Sequence, residues 1–358
     1  VRFLFKTSYE QDIALFRHGG QRFWYGALAA ALCAAPWLLP DYFLSQLTFI
    51  GIYSIACLGL MLLAGFTGQV SLGHAAFLAM GAYTEAWLQA KGWPFALSLP
   101  VAALVAGISG VVVGLPALRV KGMYLAIATL AFGFILEEGV VRAEGITGGN
   151  SGMTVAALRI FGIDFDSGRN FYYLVIALAA LCVIGVLNLL RSPTGRAFVA
   201  IRDSEVSAQS MGIHLARYKT IAFALSAALA GIAGALYAHK IRFLSPEQFG
   251  FLQSVELLMM VVIGGLGSVH GAIFGPAFWI VVQQMIVLAK DTLPPVIGQQ
   301  TGLQPTIFGL ILVAFVMFEP MGLYGRWLKI RVFFELFPFY RKGMFKRQKS
   351  YMKSERVR

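Results

Sequence analysis

The sequence predicts an all-α, polytopic membrane protein of about ten transmembrane passes, some of them interrupted or re-entrant. Three observations predict it. Of 358 residues, 58% are of hydrophobic type and only 13% are charged, against roughly 25% charged in soluble globular proteins, so there is too little charge to cover a water-facing surface. Uncharged runs approach or exceed the roughly 20 residues that a helix needs to cross a bilayer. Some of these runs are broken by clusters of glycine and polar residues, which hydrocarbon tolerates only where the chain lies against protein or a polar cavity.

The runs define the spans in order. Phe23–Pro40 is uncharged over 18 residues. It reads as a first span and not a cleaved leader, because Glu10 and Asp12 precede it and no small-residue cleavage site follows. Tyr42–Thr84 is uncharged over 43 residues, long enough for two passes. Gly92–Leu118 spans 27 residues, and Met123–Leu136 is shorter and ends on Glu137 and Glu138. Phe171–Leu190 and Thr220–His239 follow. Leu257–Ala289 runs for 33 residues but is broken at "GGLGSVHG", Gly264–Gly271. Thr292–Phe318 is the last. Cys33, Cys57 and Cys182 all lie in apolar runs, form no CxxC and are expected as small core residues.

Short loops rich in Lys and Arg face the cytoplasm. Four regions carry this excess: Arg2, Lys6, Arg17 and Arg22; Arg119 and Lys121; the loop Arg191–Lys219; and the tail from Arg326, with eleven basic residues against Glu335 and Glu355. Ten passes put all four on one side, with both termini cytoplasmic, although "HKIR", His239–Arg242, then leaves positive charge outside. The division expected is a cytoplasmic segment at 1–22, a transmembrane domain at 23–325 containing the internal loop 191–219, and a basic cytoplasmic tail at 326–358. That tail reads as an anchor to anionic lipid and not as a nucleic-acid site.

The stretch "GFTGQVSLGHAAFLAMGAYT", Gly65–Thr84, asks for a function. Gly68, Gln69, Ser71, Gly73 and His74 read as the broken start of a span. They either line a translocation path, as interrupted helices do in several transporters, or serve close packing at a helix or subunit interface. His74 has no second ligand at metal spacing. The second break, Val261–Pro276, reads as a tight turn, and its pattern hints at an internal duplication. Glu144–Thr154, "EGITGGNSGMT", turns the chain or forms an anion nest. The loop "RSPTGRAFVAIRDSEVSAQSMGIHLARYK" suits one or two short amphipathic helices at the membrane edge, stopped at Gly212, serving as a docking element for a partner groove or as a plain linker.

Enzyme chemistry is not expected. The sequence holds no GxxxxGK[ST], calcium loop, HExxH or GxSxG, and its five histidines are scattered. No cofactor or metal is expected on this chain. An ion-coupled carrier would need a buried carboxylate, for which Glu85, Glu137, Glu138 and Glu256 are the candidates; a passive channel would need no motor.

Seven stretches carry a resemblance: "GFTGQVSLGHAAFLAMGAY" (65–83), "LRVKGMYLAIATLAFGFILEE" (118–138), "GITGGNSGM" (145–153), "SPTGRAFVAIRDSEVSAQSMGI" (192–213), "KTIAFALSAALAGIAGALYAH" (219–239), "SVELLMMVVIGGLGSVHGAIFGP" (254–276) and "FGLILVAFVMFEPMGLYG" (308–325). Together they resemble the LivM-type permease subunits of branched-chain amino acid ABC importers of the bacterial inner membrane. The resemblance implies that 23–325 is a permease domain importing Leu, Ile or Val. It implies as partners a second homologous permease subunit, two cytoplasmic ATPase subunits carrying ATP and Mg, and a periplasmic substrate-binding protein. It makes 191–219 a coupling loop in which Arg202, Glu205 and Gly212 serve the ATPase, although Val206 and Ser207 replace the paired alanines of the usual motif and Gly212 comes one position late. Importers of urea, amides or organic acids share much of the pattern.

Overall fold

The computed structural model describes residues 19–117, 120, 122–160, 163–165, 168–292, 303–319 and 321–336. Most of the segment expected at 1–22, much of the tail at 326–358, and Arg119 and Lys121 lie outside the described residues. The helices are α1 (Gly19–Leu38), α2 (Asp41–Leu60), α3 (His74–Ala90), α4 (Phe95–Ala117), α5 (Met123–Arg142), α6 (Gly168–Arg191), α7 (Pro193–Asp203), α8 (Glu205–Ser210), α9 (Leu215–Ile241), α10 (Phe251–Gly264), α11 (Gly271–Thr292), α12 (Leu303–Phe318) and α13 (Gly322–Leu336). A wide π-turn, Met61–Phe66, extends α2. Four two-residue strands form two small antiparallel pairs: β2 (Arg159–Ile160) with β3 (Ile163–Asp164), and β1 (Met153–Thr154) with β4 (Phe243–Leu244), which joins the Glu144–Thr154 segment to the end of α9.

Among the described residues, seven helices are long and apolar enough to span a bilayer. By this measure the expected count of about ten is not reached. α3 and α12 have 17 and 16 residues, and α1 opens on Gln21 and Arg22. α3 is short because the coil Gly68–Gly73 takes up chain that would otherwise be helical.

α9 occupies the centre and packs on α4, α3 and α2. Its sequence "SAALAGIAGALYAH" explains why. Lipid is as apolar as a leucine side chain, so helices in a membrane associate by close packing, and small residues permit it. A Cβ on Gly81 of α3 would overlap the backbone of Gly231 of α9, and a Cβ on Gly234 would overlap the Leu78 carbonyl. α2 and α9 are mostly buried, whereas few residues of α5 and α6 are, and these two helices expose the large side chains of Ile127, Phe134, Ile135 and Leu181.

Several helices run past their uncharged stretches. α3 continues through Glu85 because one carboxylate oxygen of Glu85 is paired inside the bundle, while Oε2 is buried with no hydrogen bond. Its Oε1 accepts a hydrogen bond from Ser98 Oγ of α4 at 2.7 Å and lies 3.0 Å from His239 Nε2 of α9, with all three side chains buried. α5 continues to Arg142, whose Nε donates to Glu138 at 2.6 Å on the surface. Cys57 and Cys182 are buried as expected, but Cys33 is exposed, because an apolar residue in a membrane helix is as well placed toward lipid as toward the core.

The Glu85–His239 pair links three helices, and removing one partner strands the other in the interior. Glu85→Ala is expected to lower stability by about 3 kcal/mol or more, whereas a Glu85→Leu/His239→Leu double variant loses less. Thermal unfolding in detergent checks the order, and equal losses for the two variants would contradict it.

Candidate functional site

The site is built where the two breaks and the internal loop meet. In the first break, the chain leaves helical geometry at Gly68 and re-enters it at His74. Its backbone groups are taken up by other parts of the fold. Gln69 N donates to the Leu63 carbonyl at 3.0 Å, Leu72 N donates to Thr129 Oγ1 of α5 at 3.0 Å, and Ala75 N donates to Ser254 Oγ of α10 at 3.0 Å. Gly73 lies so close to α5 that a Cβ there would overlap the Thr129 carbonyl.

The side chains flagged by the sequence divide by position. Gln69, Ser71 and His74 are buried within the chain, while Gly68 is exposed. His74 lies against Phe77, with ring centroids 5.7 Å apart, and beside the Ala56 carbonyl. Gln69 Nε2, Ser71 Oγ and both ring nitrogens of His74 make no hydrogen bond of ordinary geometry. Buried polar groups are nearly always paired, so this set is uncommon for ordinary packing.

The second break, between α10 and α11, turns on Gly265 and Gly267, whose φ values of +114° and +81° favour glycine. It meets the first break directly. Gly267 N donates to Met61 Sδ at 3.1 Å, and a Cβ on Gly65 would stand 2.6 Å from Gly267 N. Next to it, His270 Nε2 is 2.7 Å from Tyr25 Oη of α1, and its ring stacks on Tyr324 of α13 at 5.8 Å. Burial, with Arg331 as a smaller cause, holds the His270 imidazole below its ordinary range.

The internal loop folds as the two short amphipathic helices expected. Ser192 caps α7, with Pro193 at its first position, and Ser204 caps α8, accepting from Ser207 N at 3.3 Å. Gly212 at φ +83° stops α8. The buried face of α7 is Ala197, Phe198 and Ile201, with Phe198 against Tyr218 of α9. Lys219 Nζ donates to Glu205 Oε1 at 2.7 Å and ties α8 to the foot of α9. A groove of about 540 Å³ opens beside this pair, lined by Gln209, Gly212 and Ile213 among others. Val206 and Met211 stand 78% and 83% exposed.

Arg202 joins the loop to both breaks. Its Nη1 donates to the Gly65 carbonyl at 3.2 Å, and its Nε and Nη2 donate to Asp203 Oδ1 at 3.1 and 3.0 Å. The Gly65 carbonyl belongs to the C-terminal end of the α2 extension, where a cation is favoured by the helix dipole. A Cβ on Gly267 would stand 3.2 Å from Arg202 Nη1, and one on Gly68 would stand 3.2 Å from Arg202 Cγ. The sequence marked Arg202, Glu205 and Gly212 as one set. The structure keeps Glu205 and Gly212 at the groove and turns Arg202 inward to the glycines. Thr129 and Ser254 were not foreseen, since a single hydroxyl in an apolar run carries no motif.

At Gly73 the close approach to Thr129 sets a test. Gly73→Ala is expected to destabilise the fold by about 1–3 kcal/mol through overpacking, while Gly139→Ala, where a Cβ meets no atom within 4 Å, leaves stability unchanged or raised. Detergent melting of the two variants decides, and a Gly73→Ala variant as stable as the parent would show that α5 yields.

Comparison with known proteins gives a consistent answer. The family model described as "branched-chain amino acid transport system / permease component" matches residues 42–318. The high-affinity branched-chain amino acid transport system permease protein LivM of Escherichia coli K12 is 36% identical over 291 residues, covering 74% of this chain and 68% of the relative. The probable LivM of Methanocaldococcus jannaschii is 25% identical, over 63% of this chain and 68% of its own. The autoinducer 2 import system permease protein LsrC of Salmonella typhimurium is 28% identical, over 74% of this chain and 78% of its own. No solved structure matches the chain. A helical membrane protein with two glycine breaks clasped by a capped internal loop, matched across residues 42–318, belongs to the family of branched-chain amino acid transport system permease components.

Proposed function

We propose that this chain is one of two homologous permease subunits of an ATP-driven importer that carries Leu, Ile or Val across the bacterial inner membrane. The observation that carries the reading is the loop α7–α8. It presents exposed Val206 and Met211 beside a groove, and through Arg202 it touches both breaks in the membrane bundle. The sequence has no ATP-binding loop of its own. ATP and Mg therefore belong to two separate ATPase subunits docked on α7–α8, and a periplasmic substrate-binding protein delivers the amino acid from the other side.

The reading includes ten passes with both termini cytoplasmic. Residues of the first break, the second break and α7 touch one another, which agrees with all three lying at the cytoplasmic end. α2 and α10 run parallel, with Cys57 Sγ 4.0 Å from the Leu257 carbonyl and Met61 Sδ 3.1 Å from Gly267 N. Two parallel helices separated by an odd number of intervening passes fit that count. In the same reading Gly68, Gln69, Ser71, Gly73 and His74 form a moving part of the path or of the interface with the second permease.

Two measurements test these points. Tags in 191–219 are expected to be silent to an impermeant outside reagent while tags in 142–170 react, and outside labelling of 191–219 would sink the ten-pass arrangement. In the reconstituted importer, replacing Arg202 and Glu205 together is expected to abolish most binding-protein-stimulated ATP hydrolysis while insertion stays normal. Full uptake by this chain alone, driven by a proton gradient, would instead make it a secondary carrier.

A further inference from the structure

Glu256, like Glu137, stands apart from the paired membrane carboxylates of the described residues. Glu85 is held by Ser98 and His239, and Glu138 by Arg142. Glu256 lies half-buried on α10, and among the described residues no cation pairs with it. A carboxylate so placed is costly unless it takes up a proton or something cationic visits it.

Its surroundings narrow the visitor. Gln253 and Glu256 are three residues apart on α10 and share a face. The face is turned to α2 and α9, where Tyr53 lies beside Tyr237, Gln253 and Glu256. The packing of Cys57 on Leu257 and Met260 fixes this register. The Tyr53 ring is 6.2 Å from Tyr237 and 6.3 Å from Phe49, and Phe249 stands 5.8 Å from Tyr237 and 5.9 Å from Tyr83. Lys240 Nζ is spent over the Phe49 ring at 5.4 Å. Gln253 Nε2 is buried beside the Tyr53 hydroxyl and makes no hydrogen bond of ordinary geometry. The set therefore offers an anionic acceptor, a weakly engaged amide donor one helical turn away, and aromatic walls.

We propose that Glu256, Gln253, Tyr53 and Tyr237 form a binding site for a zwitterionic amino acid in transit, with Glu256 taking the α-ammonium group. Gln253 donates to the α-carboxylate, the tyrosines face the ammonium, and the aromatic row holds an aliphatic side chain. The site deepens the importer reading and rests on it. It also supplies a selection step inside the permease: a ligand without an ammonium group leaves Glu256 uncompensated, and one with an anionic side chain meets the negative faces of the aromatic wall.

The test uses the complete importer in vesicles, with its second permease, ATPases and binding protein, and follows radiolabelled leucine and ATP hydrolysis together. Glu256→Gln is expected to cut uptake about tenfold or more, the scale of a charge-assisted hydrogen bond. Binding-protein-stimulated hydrolysis is expected to stay within about twofold of the parent, so that uptake per ATP collapses. Glu256→Asp recovers part of it, and Gln253→Ala raises the KM for leucine. Glu137→Gln is the comparison, because Glu137 lies near the same row beside Gly250. The assignment is overturned if uptake and hydrolysis fall in parallel, if neither falls, or if Glu137→Gln alone gives the uncoupling. A parent complex that takes up no branched-chain amino acid would defeat the importer reading itself, and the site with it.

Discussion

A backbone that leaves the helix inside a membrane must find its hydrogen bonds elsewhere in the protein, and the arrangement between α2 and α3 depends on how this chain finds them. The amides of the break go to Leu63 in the preceding turn, Thr129 on α5 and Ser254 on α10. Each hydroxyl fixes a helix. Thr129 can reach Leu72 only because Gly73 lets α5 approach to backbone contact, and Ser254 can reach Ala75 only because α10 runs alongside α2. Moving either helix leaves amides unpaired at about 1–3 kcal/mol each, so the break acts as a joint with defined partners and not as a slack loop.

Arg202 adds the connection to the internal loop α7–α8. A lysine there could place a charge, but the guanidinium serves two acceptors in different directions, the Gly65 carbonyl and the Asp203 carboxylate. On the membrane side its neighbours are glycines, with no side chains to rotate out of the way. A shift of α7 must therefore be passed to Gly65 and Gly267 or be absorbed by breaking the bond. Packed interiors transmit strain for this reason, and the contact ties the loop to the bundle more stiffly than an aliphatic interface would.

Much of this was legible in the sequence. Uncharged runs gave the helices, the glycine clusters gave both breaks, and Gly212 marked the end of the loop helices, whose caps Ser192 and Ser204 emerged only in the structure. Helix ends were read short wherever a charge sat inside, because pairing is invisible in one dimension: nothing near Glu85 in sequence announces His239. Facing was also hidden. Leu181 on lipid and Leu60 in the core are the same residue type in similar runs, and Cys33 is exposed where a core position was expected. Small residues were the better guide, since the glycines and alanines of α9 mark the seam where helices meet. Within the candidate site, the polar cluster Gln69–His74 stood out by composition, while Thr129 and Ser254 did not.

The buried groups left without partners follow from the same economy. Gln69 Nε2, Ser71 Oγ and the His74 ring nitrogens sit within a few residues of the joint, and Gln253 Nε2 lies on the helix that carries Ser254. Other polar side chains are paired: Ser226 donates to the Gly59 carbonyl at 2.7 Å, and Thr147 to the Val140 carbonyl at 2.6 Å. Unmet hydrogen-bonding capacity also lies along α3 and α9, at Tyr83 Oη, Glu85 Oε2 and His239 Nδ1, so it surrounds the joint on several helices. An arrangement of these helices that supplied partners would gain what this one forgoes, so the unpaired groups narrow the gap between two packings. Where packings differ little in energy, a modest force at the Arg202–Gly65 contact is enough to shift the balance.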